Sequence, residues 1–267
     1  MLVVAAAVLL AAGALLAQPR WIEHRRQRIR ARPFPEAWRR VLRRRVPFVA
    51  RLPPELQLRL KGHIQAFVAE KPFIGCRGQA ITDEVRVTIA AHACLLLLGH
   101  AKPDYYPRLR QVLVYPDAFL VDRERPLGAG LVQEQRHTLS GESWTQGQVI
   151  LSWSDVLAGA EDPADGRNVA LHEFAHQIDQ DTGVADGRPW RPTSRMRRRW
   201  AAVMGEAFER LRSQPSTLID GYGASDPAEF FAVVSEVFFE RPRELQQEAA
   251  AVYDELARLY GVDPMQW

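Results

Sequence analysis

The sequence predicts an α+β fold, rich in helix, with a small sheet beside one central helix. Three observations point there. Stretches such as Pro53–Glu70 and Met196–Leu211 space their apolar residues at helical intervals. Two short runs, Gln111–Tyr115 and Gly147–Trp153, are apolar, partly β-branched and of strand length. The chain has 267 residues, 47% of them hydrophobic, which suffices for one sizeable core. Its two cysteines, Cys76 and Cys94, form no C-x-x-C pair, which argues against a disulfide framework or a zinc ribbon. They read as buried thiols in a reducing compartment.

The elements follow in order. Met1 to Ala17 carries no charge, and Trp21 and Ile22 extend this run toward an interface. Residues 1–22 therefore read as a hydrophobic N-terminal membrane anchor. A cleaved export signal ranks second, because no basic residue precedes the apolar run. Eleven arginines then lie between Arg20 and Arg45, against only Glu23 and Glu36. The positive-inside rule keeps such a flank in the cytoplasm, so the expected location is cytoplasmic, tethered to the inner membrane. Residues 23–50 read as an arginine-rich juxtamembrane arm touching anionic lipid headgroups. No direct nucleic-acid contact is expected, since no DNA-reading motif accompanies the arginines. Residues 51–267 form the remaining domain, which is net acidic once the arm is set aside.

Within that domain, Pro53–Glu70 is expected to be a helix with Leu56, Leu60, Ile64, Phe67 and Val68 along one face, ended by Pro72. Glu84–Leu98 reads as a buried helix. Gln111–Tyr115 is a strand closed by Pro116. Gly147–Trp153 is a second strand, either internal or at the sheet edge. Asp181–Thr193 carries Gly and Pro and reads as a loop. Met196–Leu211, the segment after Asp226 and Glu244–Tyr260 complete the helices.

The most informative residues are His172-Glu173-Phe174-Ala175-His176, an H-E-x-x-H sequence. Successive helical residues turn by about 100°, so positions i and i+4 share a face and both imidazoles can reach one ion. Glu173 sits beside that face, where a carboxylate can act on water. Two neutral nitrogens and a neighbouring carboxylate suit Zn²⁺, with Glu173 as general base of a hydrolase. The alternative is a helix whose histidines bind nothing. The apolar residues around them (Val169, Ala170, Leu171, Phe174, Ala175, Ile178) disfavour it, because buried polar groups need partners. His24, His63, His92, His100 and His137 show no ligand spacing and read as structural or surface residues.

A catalytic zinc takes three protein ligands and leaves a position for water. No histidine follows His176; Asp179 and Thr182 stand where the extended motif H-E-x-x-H-x-x-G-x-x-H has Gly and His. The third ligand is then a carboxylate from a later helix. Glu229 and Glu236 lie seven residues apart, near one helical face. Glu229 also fits N3 of a capping box, after Asp226 and Pro227. Glu236 also fits an acid paired with an arginine or with a ligand histidine. These residues do not separate the two. Asp179 could orient a ligand imidazole, or act as a helix-end acid paired with Arg188.

His172–Asp179, followed by Ile219-Asp220-Gly221-Tyr222-Gly223-Ala224-Ser225-Asp226-Pro227-Ala228-Glu229, resembles the Mlc titration factor A family, also called DgsA anti-repressors. These are zinc metallopeptidases of the gluzincin type, with a core similar to the lethal-factor protease domain. The likeness runs from about Pro35 to the C-terminus and includes Leu131–Arg136 and Ser140–Trp144. It implies a zincin-like metallopeptidase fold, with Glu229 as third ligand and Glu236 in a supporting role. It also implies that Tyr222 donates to the oxyanion, although a loop aromatic anchoring the glycine turn is the plainer reading. An edge strand just before the active helix, here Gly147–Trp153, would hold an extended peptide or protein substrate. The family is further associated with sequestering the Mlc transcriptional repressor. A repressor-binding protein with a vestigial or structural metal site is thus the alternative to a peptidase.

Overall fold

The computed structural model describes residues 18–128, 131–139, 141–144 and 147–267, with side chains for all of these except 119–144 and Thr182. The first seventeen positions of the expected anchor lie outside the described residues. Among those described, no helix is long and apolar enough to cross a membrane.

Helix α1 covers 18–30 and leads into α2 (Glu36–Arg45). Part of the arginine-rich stretch packs into the core. Ile29, Phe34, Val41, Leu42, Val46 and Val49 are buried in the same core as the rest of the chain. Arg26 clamps Glu70 with two hydrogen bonds, of 2.9 and 3.0 Å, and lies 5.0 Å from the centre of the Tyr105 ring. The physical reason is visible in the pattern. Apolar residues recur among the arginines at helical spacing, so each helix buries one stripe and leaves most of its cations outside it.

Helix α3 (Pro54–Glu70) packs on α4 (Asp83–Leu95), and both form as the sequence predicts. The sheet has the order β1 (Phe73–Gly75), β2 (Gln111–Tyr115), β6 (Gln148–Ser152), β5 (Gly141–Trp144). The first three strands are parallel, and β5 runs antiparallel to β6. A separate hairpin, β3 (Phe119–Gly128) with β4 (Leu131–Leu139), rises between β2 and β5. The strand predicted from Gly147 is therefore internal, paired on both sides, and β5 takes the edge position expected of it. Four of the five residues of β6 are buried, as a strand covered on both faces requires.

Helix α5 (Trp153–Glu161) follows β6 directly, and α6 (Val169–Asp179) crosses beside the sheet against α4, α5 and α8 (Pro227–Glu240). Phe174 anchors α6, with its ring 5.7 Å from Phe67 and 5.0 Å from Tyr106. Helix α7 (Ser194–Ser213) precedes the Gly221–Ala224 turn. The closing helix predicted over Glu244–Tyr260 is two helices, α9 (Pro242–Glu248) and α10 (Ala250–Tyr260). The chain breaks at Ala249, which adopts φ −144° and ψ 61°. No local residue forbids helix there. The bend lets Leu245, Val252 and Leu256 all be buried, so tertiary packing overrides local propensity.

Candidate metal centre

Two helix starts set the site. Asn168 caps α6, its Oδ1 accepting from the Leu171 amide at 3.1 Å. Asp226 caps α8 by accepting from the Ala228 and Glu229 amides at 2.8 and 3.0 Å, with Pro227 in the first turn. Glu229 thus stands at the capping-box position, but its carboxylate meets the imidazoles of α6.

His172 Nε2 lies 2.9 Å from Glu229 Oε2, and His176 Nε2 lies 3.2 Å from His172 Nε2 and 3.4 Å from the same Glu229 oxygen. Three lone-pair donors converge on one point. Protons alone satisfy such a cluster poorly, because the two facing nitrogens cannot both donate to each other. A shared cation satisfies all three, so this donor set fits a metal ion.

The other nitrogen of His172, Nδ1, meets Glu236 Oε1 at 2.8 Å. Glu236 is buried, and its second oxygen accepts the backbone amide of Asn168. One carboxylate therefore fixes both the start of α6 and the ring orientation of its first histidine, the usual arrangement around a metal-bound imidazole. Burial works against a charge on His172, but its hydrogen bonds to Glu229 and Glu236 raise its pKa well above the ordinary value. Burial would likewise raise Glu229, but its bonds to His172 and His176 hold it below the ordinary carboxylate range.

Glu173 lies on α6 between the histidines and is buried, and its charge contributes to the raised pKa of His172. Tyr222 stands in the Gly221–Ala224 turn, half exposed, its ring centroid 6.1 Å from that of His172. Asp179 Oδ2 accepts from the Gly187 amide at 2.7 Å, so this acid ties the following loop to the end of α6. Gly187 has φ +73°, and a Cβ there would fall 2.3 Å from the Pro227 carbonyl oxygen. The loop thus presses on the first turn of α8, two residues before Glu229.

One supporting residue escaped the sequence reading. Glu240 Oε1 accepts from Asn168 Nδ2 at 3.0 Å, and its Oε2 accepts from the Gly166 amide at 3.1 Å. Its signal was its position four residues after Glu236, on the same face of α8.

Fold and donor group together place the chain among zincin-like metallopeptidases. A family model narrows this class: that of the glucose-regulated metallo-peptidase M90 family matches residues 21–261, and the chain belongs to that family. It is 40% identical over 252 residues to "Uncharacterized protein slr2042" of Synechocystis sp., covering 92% of this chain and 91% of the relative. It is 32% identical over 228 residues to "Mlc titration factor A" of Klebsiella pneumoniae, covering 83% of this chain and 84% of the relative. The protein of that name from Salmonella agona matches to the same extent, with 32% identity and the same 83% and 84% coverage.

Proposed function

We propose that the chain is a zinc-dependent peptidase in which His172, His176 and Glu229 hold the ion and Glu173 is the general base. The observation that carries this reading is the convergence of the three donor atoms, with separations of 2.9 to 3.4 Å. A tetrahedron with zinc–ligand bonds of about 2.05 Å has edges of about 3.3 Å, so the spacing suits Zn²⁺. When bound, Zn²⁺ supplies a Lewis acid that makes water acidic near neutral pH and polarises a carbonyl.

The chain's own residues do the rest. Glu173 takes a proton from the attacking water and passes it to the leaving amine. Tyr222 donates its hydroxyl to the oxyanion of the tetrahedral intermediate. Glu236 holds the His172 ring so that its Nε2 lone pair stays aimed at the site. The outer edge of β5, which lies against α6 and has no further strand paired to it among the described residues, accepts an extended peptide by strand addition. Metal analysis combined with peptide-library cleavage, with and without chelator, tests the reading. Cleavage that survives removal of all divalent metal would refute it.

The relatives' name supports a second reading, that this chain binds an Mlc-like repressor. Glu173→Gln separates the two, since hydrolysis depends on that carboxylate and repressor capture does not. As to location, residues 1–22 remain our proposed inner-membrane tether, with the catalytic body on the cytoplasmic side.

A further inference from the structure

We propose that the face built by α1, the α1–α2 turn and α3 docks onto anionic phospholipid headgroups. This deepens the lipid contact expected of residues 23–50 by assigning it to a folded surface, rests on the membrane location proposed above, and is separated by the test below from insertion of residues 1–22.

Trp21, Arg25 and Arg28 are spaced by four and three residues, so they form one stripe of α1; Arg32 follows in the turn after the helix, and all four are exposed. Arg32 lies at the lip of a groove of about 770 Å³. Arg30, Arg32, Arg39, Arg59 and Lys61 line that groove, with no carboxylate among the lining residues. Leu58 stands at its wall, 73% exposed, and Trp21 is 65% exposed.

The acids within the arginine-rich stretch are already engaged. Glu23 pairs with Arg30, and Glu36 pairs with Arg39 and Arg43. Arg25, Arg28, Arg32 and Lys61 make no ion pair or side-chain hydrogen bond among the described residues. Arg25 and Arg28 stand at helical neighbour spacing and repel one another, a repulsion that a layer of anions relieves.

Two features favour lipid over nucleic acid. Cations flanked by exposed Trp and Leu match a headgroup interface, where the apolar rings sit among the glycerol and acyl groups. The stripe also begins four residues after an uncharged apolar run ending at Ala17. A nucleic acid would use the cations but has no place for that run.

The test uses the full chain and vesicles of phosphatidylcholine, alone or with phosphatidylglycerol, read by co-sedimentation at low and raised salt. The proposal expects stronger binding when phosphatidylglycerol is present, and weakening of that excess by salt. Replacing four cations (Arg25→Gln, Arg28→Gln, Arg32→Gln, Lys61→Gln) should lower partition into phosphatidylglycerol vesicles by up to roughly a thousandfold. Binding to phosphatidylcholine alone should stay as it was, since it reports residues 1–22. The charge-preserving set with Arg→Lys at the three arginines should keep binding, which guards against a folding defect. If wild type ignores phosphatidylcholine yet binds phosphatidylglycerol, the anchor reading fails and this one stands. Equal partition into both vesicles overturns the proposal, as does wild-type binding by the four-fold variant. Tighter binding of duplex DNA through the same four residues also overturns it.

Discussion

At the scale of single residues, Glu229 and Glu236 divide one imidazole between them, the first on Nε2 and the second on Nδ1. Glu229→Ala should lower zinc content roughly tenfold or more, as measured by elemental analysis after dialysis, because it removes a donor atom. Glu236→Ala should weaken zinc less than Glu229→Ala does, through loss of ring orientation with all three proposed donors still in place. A variant at Glu236 that loses zinc more completely than the one at Glu229 would reverse the assignment. Glu173→Gln should keep zinc and lose about 10²- to 10⁴-fold in kcat. Tyr222→Phe should cost about 10²-fold in kcat, or about 3 kcal/mol, with metal and fold intact. The histidine pair was legible because i and i+4 fix a shared face whatever surrounds the helix. The glutamates were not separable by spacing, since seven residues bring both to that same face. Only the crossing of α8 over α6 decides which oxygen meets which nitrogen.

At the scale of elements, the start of α6 is the joint on which the site depends. Asn168 caps the helix, its amide binds Glu236 and its side chain binds Glu240. Asn168→Ala should lower stability by about 1–2 kcal/mol, visible as a lower thermal midpoint, and should weaken zinc in parallel. An unchanged midpoint would show that the cap carries no load. The strand at β6 was legible from its apolar run, but its place within the sheet was not. Pairing depends on Gly141–Trp144, whose sequence has no strand-like alternation, so its partner β6 looked free to be an edge. The break at Ala249 was invisible for a related reason: Gln-Gln-Glu-Ala-Ala-Ala favours helix throughout, and only packing on α8 interrupts it.

At the scale of the whole molecule, buried ionisable groups set the pH range of stability. Burial pushes His63 and His92 down to about 4, whereas an unfolded histidine takes up a proton near 6.5. Their contribution therefore falls as pH drops from 6.5 toward 4. Burial, with the nearby charges of Asp165 and Glu236, pushes Glu240 up to about 8, against 4.5 for an ordinary glutamate. The folded state then holds a proton that the unfolded chain has released, so stability falls as pH rises from 4.5 to 8. Above pH 6.5 the two histidines no longer contribute a slope. The thermal midpoint of the metal-loaded protein should decline between pH 6.5 and 8, and Glu240→Gln should flatten that decline. The packing of Ile29, Val41 and Leu42 into the core was not legible at this scale, because eleven arginines mask the apolar stripe that carries them. The Glu236 carboxylate has a last consequence. It reaches His172 through Nδ1 while Glu229 meets Nε2, so protein atoms aim one of the three donors from the side away from the site. Chelated protein should keep its near-ultraviolet circular dichroism, and returning the ion should restore hydrolysis within the time of mixing, with no slow refolding in between.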